Sequence, residues 1–285
     1  MERKTIAGIR RENQYSPNHV GNDAAIFSMT ADCLRRSGYC VKEYVESDLL
    51  TRNIDEGLIF NMVRGRKSVS ALQRMEDEGR TVVNSGYGIE NCTRERMTNL
   101  FADRQIAGPR SLVLFTDDDP VAALEEAGIC NCWIKRSDFH AIHREDVTYV
   151  RHPEEAKIIL KEYAMRGIEK VVVNEHLAGD LIKFYGVAGT DFFYWFYPTD
   201  LQHSKFGLEQ INGTARGIPF DQQALQTLCR EAAGVLNIHI YGGDCIVSAD
   251  GAIRLIDFND WPSFAPCRQE AAPFIAECIH SLFKN

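Results

Sequence analysis

Two apolar, β-branched runs near the C-terminal end constrain the fold of this chain more than any other stretch. Residues 241–247 and 253–258 flank the step Asp250-Gly251, which is a strong signal for a hairpin with a tight two-residue turn. Such a turn fixes which residues face each other across the two strands. The expected pairs are Ala249 with Ala252, Val247 with Arg254, and Asp244 with Asp257.

This register gathers three oxygen-bearing side chains on one face of the hairpin. Asp244 lies opposite Asp257, and Asn259 lies on the same face, roughly 6.6 Å further along its strand. Like charges directly opposite each other are unfavourable on a sheet unless something neutralises them. Oxygen-only ligands with open positions suit Mg²⁺ that arrives with a nucleotide's phosphates, although a solvated acidic hairpin would show the same residues. A turn one residue longer would put Asp244 on the other face.

The composition excludes several classes of function. The chain has 285 residues and a net charge of −8, whereas non-specific nucleic-acid binders carry a basic excess. No apolar run approaches the length of a membrane span, and residues 1–4 do not open a signal peptide. The nine cysteines form no paired CxxC framework, so we expect reduced thiols in a cytoplasmic protein. We expect neither a nucleic-acid partner nor a membrane partner.

Residues 1–90 alternate strand and helix signals, which predicts a small α/β domain with a parallel sheet. Strand signals cover 39–45, 57–63 and 81–84, and helix signals cover 68–78 and the stretch from a cap at Asn22 or Asp23 to Arg36. Arg64, Arg66 and Lys67 follow the carboxyl end of a strand. Open α/β sheets bind ligands at such ends, so these three are candidate anion contacts, or else a solvated basic turn.

Residues 91–175 and 176–285 are predicted to form two further α+β units. The first has strand signals at 111–115, 132–135, 146–150 and 169–174 and helix signals at 93–102, 120–127 and 153–166. The second has strands at 180–187 and 191–196, the hairpin, a polar lid at 201–219, and helices at 221–236 and 268–283. Lys183 is a charge inside an apolar strand, which favours a site role. Arg216 in the lid is a candidate to close over an anion.

From about residue 84 to residue 283 these motifs resemble the ATP-grasp superfamily, and they occur in the family's order. Residues 133–135 resemble the strand whose lysine contacts the nucleotide phosphates. Residues 172–177 resemble the hinge whose backbone reads adenine, with Glu175 on the ribose hydroxyls. The acidic hairpin resembles the family's metal site and its closing Asp-x-Asn motif.

The resemblance implies an ATP-grasp fold, in which two α+β lobes behind the N-terminal α/β domain enclose Mg-ATP. It implies a site for two Mg²⁺ ions at Asp244, Asp257 and Asn259. It implies nucleotide contacts from Lys135, Val173, Asn174, Glu175, His176, Leu177 and Lys183. It implies catalytic contacts to the transferring phosphoryl group from Lys183, Arg216 and His140.

Two features depart from the family pattern. The loop at 136–143, which would cover the phosphates, contains no glycine. No lysine occurs between residues 93 and 105, where the family's first phosphate lysine is expected. The cations available there are Arg94, Arg96 and Arg104.

Three activities fit these residues. A ligase that makes an acyl phosphate for attack by an amine or thiol is the leading expectation, because residues 61–85 resemble the N-terminal region of glutamate-adding ligases. The alternative is an ATP-grasp kinase, because residues 175–185 and His140 resemble inositol polyphosphate kinases. A polyphosphate substrate, however, needs a dense cationic pocket, which the net charge of −8 disfavours. The third is an inactive nucleotide-binding regulator. Both the ligase and the kinase would take a small-molecule acceptor.

Overall fold

The structure is a computed structural model that describes residues 4–138, 144–198 and 211–284. The first sheet, called the N-terminal sheet, consists of β1 (Thr5–Arg10), β2 (Cys40–Val45), β3 (Leu58–Asn61) and β4 (Thr81–Val83). Its strands are parallel in the order β2-β1-β3-β4, which confirms the predicted parallel sheet. The helices around it are α1 (Val20–Arg36), α2 (Asp48–Thr51), α3 (Arg66–Asp77) and α4 (Gly86–Asn91).

Helix α5 (Arg94–Asp103) leads into the second sheet, called the central sheet. It consists of β5 (Ser111–Phe115), β6 (Cys132–Arg136), β7 (Val147–Val150) and β8 (Lys170–Glu175). These strands are antiparallel in the order β5-β8-β6-β7. Helices α6 (Pro120–Glu126) and α7 (Pro153–Met165) cover one face of this sheet. The carboxylate of Asp119 caps α6 by accepting from Val121 N–H, and Pro120 occupies the first helical turn.

The third sheet, called the C-terminal sheet, is antiparallel in the order β10-β9-β11-β12. Its strands are β9 (Asp180–Val187), β10 (Phe193–Phe196), β11 (Ile240–Val247) and β12 (Ile253–Asp260), and its helices are α8 (Gln222–Leu236) and α9 (Arg268–Leu282). The predicted combination of α/β and α+β units is confirmed. Among the helices in the described ranges, none has both the length and the apolar composition that crossing a membrane requires.

Strand β1 was not predicted from the sequence, although it is central in its sheet. Its short apolar run is interrupted by Gly8, and isolated glycine weakens a strand signal. The structure explains this glycine by close packing: a Cβ atom there would lie 2.5 Å from the Phe60 ring and 2.9 Å from the Phe27 ring. Gly8, which weakens the strand signal in the sequence, is therefore the residue that lets the Phe60 and Phe27 rings pack against β1.

The hydrophobic cores do not follow the three predicted units. One core, called the shared core, joins the N-terminal and C-terminal sheets and contains Phe27, Phe60, Tyr185, Trp261 and Ile275. A second core packs α5 against α8 and β12. The central sheet has a core of its own with α6 and α7. On the opposite face of the central sheet, Lys135 of β6 reaches the Ile256 carbonyl of the C-terminal sheet, so the candidate site lies in the cleft where these two sheets meet.

The register of the β11–β12 hairpin differs from the prediction near the turn and agrees with it at the carboxylates. Val247 pairs with Ile253 and not with Arg254, because the loop has three residues and ends at Gly251, whose φ is +81°. The register then shifts at Asp244/Cys245, where Ile256 has no partner and forms a β-bulge. This shift compensates for the longer turn. The predicted pairing of Asp244 with Asp257 is therefore confirmed.

Candidate functional site

Three charged residues form a row across neighbouring strands of the C-terminal sheet. Lys183 on β9 pairs with Asp244 on β11, which pairs with Asp257 on β12. Side chains of paired residues share one face, and Lys183 Nζ lies 3.1 and 3.2 Å from the two carboxylate oxygens of Asp244. Asn259 lies two residues beyond Asp257, on the same face. It is paired with Gly242, which has no side chain to obstruct it.

These donors fit a magnesium ion bound together with a nucleotide. Carboxylate and amide oxygens are hard ligands, and Mg²⁺ is usually held by one or two carboxylates together with substrate phosphates. In the described part of the chain, no three His, Cys, Asp or Glu residues gather into a complete metal site. Asp244, Asp257 and Asn259 thus supply part of a coordination shell, and Lys183 offsets the negative charge of the two carboxylates.

Lys135 reaches this row from the central sheet. Its side chain is buried, and its Nζ donates to the Ile256 carbonyl oxygen over 3.0 Å. The pKa of Lys135 is lowered to about 8, mainly by burial and also by the like charge of Arg94, against the opposing effect of the nearby Asp257 and Asp244. The ammonium group is therefore close to both carboxylates, so the two sheets bring cations and anions together in one cleft.

Arg94 is a candidate site residue that the motif analysis left as one of three arginines. It is the first residue of α5, it is buried, and its Nη1 lies 3.5 Å from the Arg136 carbonyl oxygen. By contrast, Arg96 pairs with Glu90 at the surface, and Arg104 is exposed. Of the three, Arg94 is the one that lies beside Lys135, although nothing in the sequence alone separates it from the other two.

Aromatic side chains extend this cleft on the central sheet. Trp133 lies two residues before Lys135 and so shares its face, and it pairs with Tyr149, at 5.0 Å between ring centroids. Trp133 Nε1 donates to His176 Nδ1 over 3.1 Å, and burial lowers the pKa of His176, which favours the neutral ring. Tyr149 was not singled out in the sequence, because strand pairing is what brings it to this face.

Comparison with solved structures identifies the architecture. D-alanyl-alanine synthetase A from Vibrio cholerae O1 biovar eltor superposes with a TM-score of 0.72 at 13% identity, over 100% of both chains. VanG D-Ala:D-Ser ligase from Enterococcus faecalis gives 0.70 at 16% identity, over 99% of this chain and 100% of that one. The ATP-grasp ligase PsnB complexed with a minimal precursor gives 0.63 at 14% identity, over 99% and 100%.

The chain has the ATP-grasp fold. No protein-family model matches its sequence, and no curated protein matches it either. At 13 to 16% identity the solved structures establish the architecture. The roles of individual residues therefore rest on the geometry of this chain.

The residues of the predicted hinge make several contacts within the protein. Asn174 Nδ2 donates to Ser111 Oγ over 2.8 Å, and Val173 lies in the core of the central sheet. Glu175 accepts from Arg110, at 2.8 Å from its main-chain N–H and 2.7 Å from its Nε. The predicted ribose contact would therefore have to share the Glu175 carboxylate with Arg110. The Leu177 carbonyl accepts from Asn212 Nδ2 over 3.1 Å.

Arg216, another predicted catalytic residue, lies on a loop. Arg216 is exposed, and its main-chain N–H donates to the buried Asp180 carboxylate over 2.8 Å. Ile218 N–H donates to the other oxygen of that carboxylate, also over 2.8 Å. These bonds hold the end of the predicted lid against the start of β9. His140 lies outside the described residues, together with the rest of 139–143 in the predicted phosphate loop and 201–210 of the predicted lid.

Proposed function

We propose that this protein is an ATP-dependent ligase that activates a carboxylate as an acyl phosphate and joins it to an amine or thiol. The row of Lys183, Asp244 and Asp257 opposite Lys135 is the observation that carries the proposal. Phosphoryl transfer needs positioning and charge neutralisation more than covalent chemistry, and this row offers both signs of charge across one cleft. The architecture shared with D-Ala-D-Ala ligases and PsnB supports it.

Each part of the cleft has a role in this proposal. Lys135 and Arg94 contact the phosphates, and Lys183 neutralises charge on the phosphoryl group in flight. Asp244, Asp257 and Asn259 hold magnesium, which when bound supplies Lewis-acid neutralisation of the phosphate oxygens.

The adenine lies against the rings of Trp133 and Tyr149, since bases stack on aromatic side chains. We also propose that His140 and Arg216 contact the transferring phosphoryl group.

The proposed reaction balances as two displacements. An oxygen of the acceptor carboxylate attacks the γ-phosphorus, and the bond from that phosphorus to the β–γ bridging oxygen breaks, which releases ADP. The amine or thiol then attacks the acyl carbon, phosphate leaves, and the nucleophile loses a proton. The cations of the cleft stabilise the negative charge that collects on the phosphate oxygens in both steps.

The charges near the N-terminal sheet favour the ligase over the kinase. Arg10 pairs with Glu43, Arg11 with Asp23 at 2.9 Å, and Arg64 with Asp260 at 3.7 Å. These three arginines lie at or just beyond the carboxyl ends of β1 and β3, where the acceptor is expected. A carboxylate neutralises each of these three, which leaves the exposed Arg66 and Lys67 at the start of α3 as further cations there, fewer than the dense cationic pocket that a polyphosphate needs.

The decisive experiment measures ADP release from Mg-ATP with two pools of acceptors. One pool contains amino acids and small carboxylates with amine donors, and the other contains inositol and its phosphates. Release with the first pool only, and a hydroxamate when hydroxylamine replaces the amine, supports the ligase. Release with the second pool only overturns it in favour of a kinase. Nucleotide binding without release in either pool favours the inactive regulator.

A further inference from the structure

Four buried charges join the N-terminal sheet to the end of the metal-site strand. This junction cluster consists of Arg11 after β1, Asp23 on α1, Arg64 after β3 and Asp260 at the end of β12. The side chains of Arg11 and Asp260 are 3% and 1% exposed. The two positive and two negative charges cancel, so the cluster has no excess positive charge with which to bind an anion. We interpret it as a link between the N-terminal and C-terminal sheets.

Arg11 contacts three chain segments at once. Its Nε donates to the Met62 carbonyl over 3.0 Å, and its Nη1 donates to the Asp23 carboxylate over 2.9 Å. Its Nη2 donates to the Trp261 carbonyl over 3.1 Å and lies 3.7 Å from the Asp260 carboxylate. One guanidinium group thus ties the N-terminal sheet to the two residues that follow Asn259.

The chain at Trp261 needs such support. Its φ is +22°, a conformation that residues other than glycine rarely adopt and that persists only where the surroundings hold it. Trp261 N–H donates to the Ile240 carbonyl over 2.9 Å, and its fully buried ring lies 6.2 Å from the Phe60 ring. The N-terminal sheet therefore helps to hold the sharp turn that ends the metal-site strand.

Asp260 cannot act as a metal ligand beside its neighbours. Side chains alternate along a strand, so Asp257 and Asn259 face the cleft while Asp260 points to the opposite side. There it faces both arginines, with Arg64 Nε at 3.7 Å. Burial lowers the pKa of Arg64, and the like charge of Arg11 lowers it further. Asp260 is thus the carboxylate that offsets two adjacent guanidinium groups at the strand end.

We infer that Asp260 is a positioning residue, which fixes Asp257 and Asn259 for metal binding by pairing with Arg11 and Arg64 of the N-terminal region. The inference rests on the metal site of the proposed function and adds a dependence of that site on the N-terminal sheet. Residues that orient metal ligands commonly change metal affinity or activity by about 10- to 100-fold when they are replaced. Asp260→Asn has nearly the same size and removes the charge that orients the strand end.

Asp23→Asn is the matched control. Asp23 is also buried and pairs with the same Arg11, but it lies on α1 and not on the metal-site strand. Both variants remove one buried carboxylate from Arg11, so both should unfold at a lower temperature than the wild type. If only Asp260→Asn weakens Mn²⁺ binding, the effect comes from positioning of the metal ligands and not from a general loss of stability.

The test titrates Mn²⁺, followed by electron paramagnetic resonance, into the full chain saturated with a non-hydrolysable ATP analogue. Nucleotide affinity without metal and thermal unfolding are measured in parallel. We expect Asp260→Asn to weaken Mn²⁺ binding by about tenfold or more and to lower kcat, with the KM for ATP within about twofold of wild type. We expect Asp23→Asn to leave Mn²⁺ affinity within about twofold of wild type.

Equal Mn²⁺ affinities in the two variants would overturn the inference. A wild-type protein that binds the analogue but no Mn²⁺ would instead refute the metal site of the proposed function, before any variant is compared. If Asp260→Asn does not fold, Arg64→Gln replaces it, since that variant keeps Asp260 and Arg11. A smaller weakening of Mn²⁺ binding is then expected, and an unchanged affinity would overturn the inference.

Discussion

Lys135 donates a hydrogen bond from its Nζ to the carbonyl oxygen of Ile256, the bulged residue of β12, over 3.0 Å. Beside it, Leu255 N–H donates to the Ala107 carbonyl over 2.9 Å. The bulge that keeps Asp257 opposite Asp244 therefore also offers the main-chain oxygen that receives Lys135. The Lys135 ammonium group has three N–H donors, so a nucleotide phosphate can bind it alongside this carbonyl.

The first prediction concerns pH. Because the pKa of Lys135 is lowered to about 8, its ammonium form is lost as pH rises through that value, and ATP affinity should fall. We expect the Kd for ATP to weaken roughly tenfold or more between about pH 7.5 and 9.5. Phosphate binding favours the charged form, so calorimetry in buffers of different ionisation enthalpy should show proton uptake. Lys135→Arg stays charged and should flatten the profile; a profile as steep as wild type would remove Lys135 from the phosphate site.

The second prediction concerns the metal carboxylates. Asp257→Asn should fold normally and lose about two to three orders of magnitude in ADP release, because a carboxylate proposed to hold magnesium at the transferring phosphoryl group is removed. The matched control is Asp250→Asn in the same hairpin, where the carboxylate accepts from Ala252 N–H in the loop. Turnover of Asp257→Asn equal to that of Asp250→Asn would contradict the assignment.

The third prediction concerns Arg94. Arg94→Met should raise the KM for ATP by about 10- to 100-fold, since a charge-assisted hydrogen bond contributes roughly 1.5–3 kcal/mol. Arg96→Met removes the same group two residues along the same helix, at a position that pairs with Glu90 at the surface, and should leave KM within about twofold of wild type. Steady-state kinetics on both variants checks this. A rise in KM for Arg96→Met alone would reverse the assignment.

The fourth prediction concerns the aromatic surface of the central sheet. Trp133→Leu should weaken ATP binding by roughly 1–3 kcal/mol, the range for a base stacked on an aromatic ring. Tyr149→Phe keeps the ring and loses only the hydroxyl that accepts from Asn131 Nδ2, so its affinity should stay near wild type. Binding of a fluorescent ATP analogue measures both. Full affinity in Trp133→Leu would show that adenine lies elsewhere.

The sequence was most informative where local chemistry decides the structure. Strand periodicity and turn residues predicted the central sheet, the C-terminal sheet and their helices. The pairing of Asp244 with Asp257 was predicted from a two-residue turn that does not occur. It holds because the turn and the bulge at Ile256 shift the register by one residue in opposite senses, and a bulge has no reliable signature in a single sequence.

Contacts between segments that are distant along the chain could not be predicted from the sequence. Arg94 and Arg96 are two residues apart and chemically identical, yet one is buried beside Lys135 and the other pairs at the surface. Asn22 or Asp23 was expected to cap α1, but the helix begins at Val20 and Asp23 pairs with Arg11. Both outcomes depend on which helix face meets another part of the chain, and that is set by tertiary packing.

The shared core bears on how the proposed ligase could change its acceptor. Phe60 near the start of the chain and Trp261 near its end both belong to the shared core. The N-terminal sheet therefore cannot be exchanged as an independent unit. Grafting this sheet onto another ATP-grasp scaffold would expose apolar surface on both pieces unless the helix and turn after β12 were transferred with it. New acceptor preferences are therefore more accessible through point substitutions at strand ends than through recombination of whole segments.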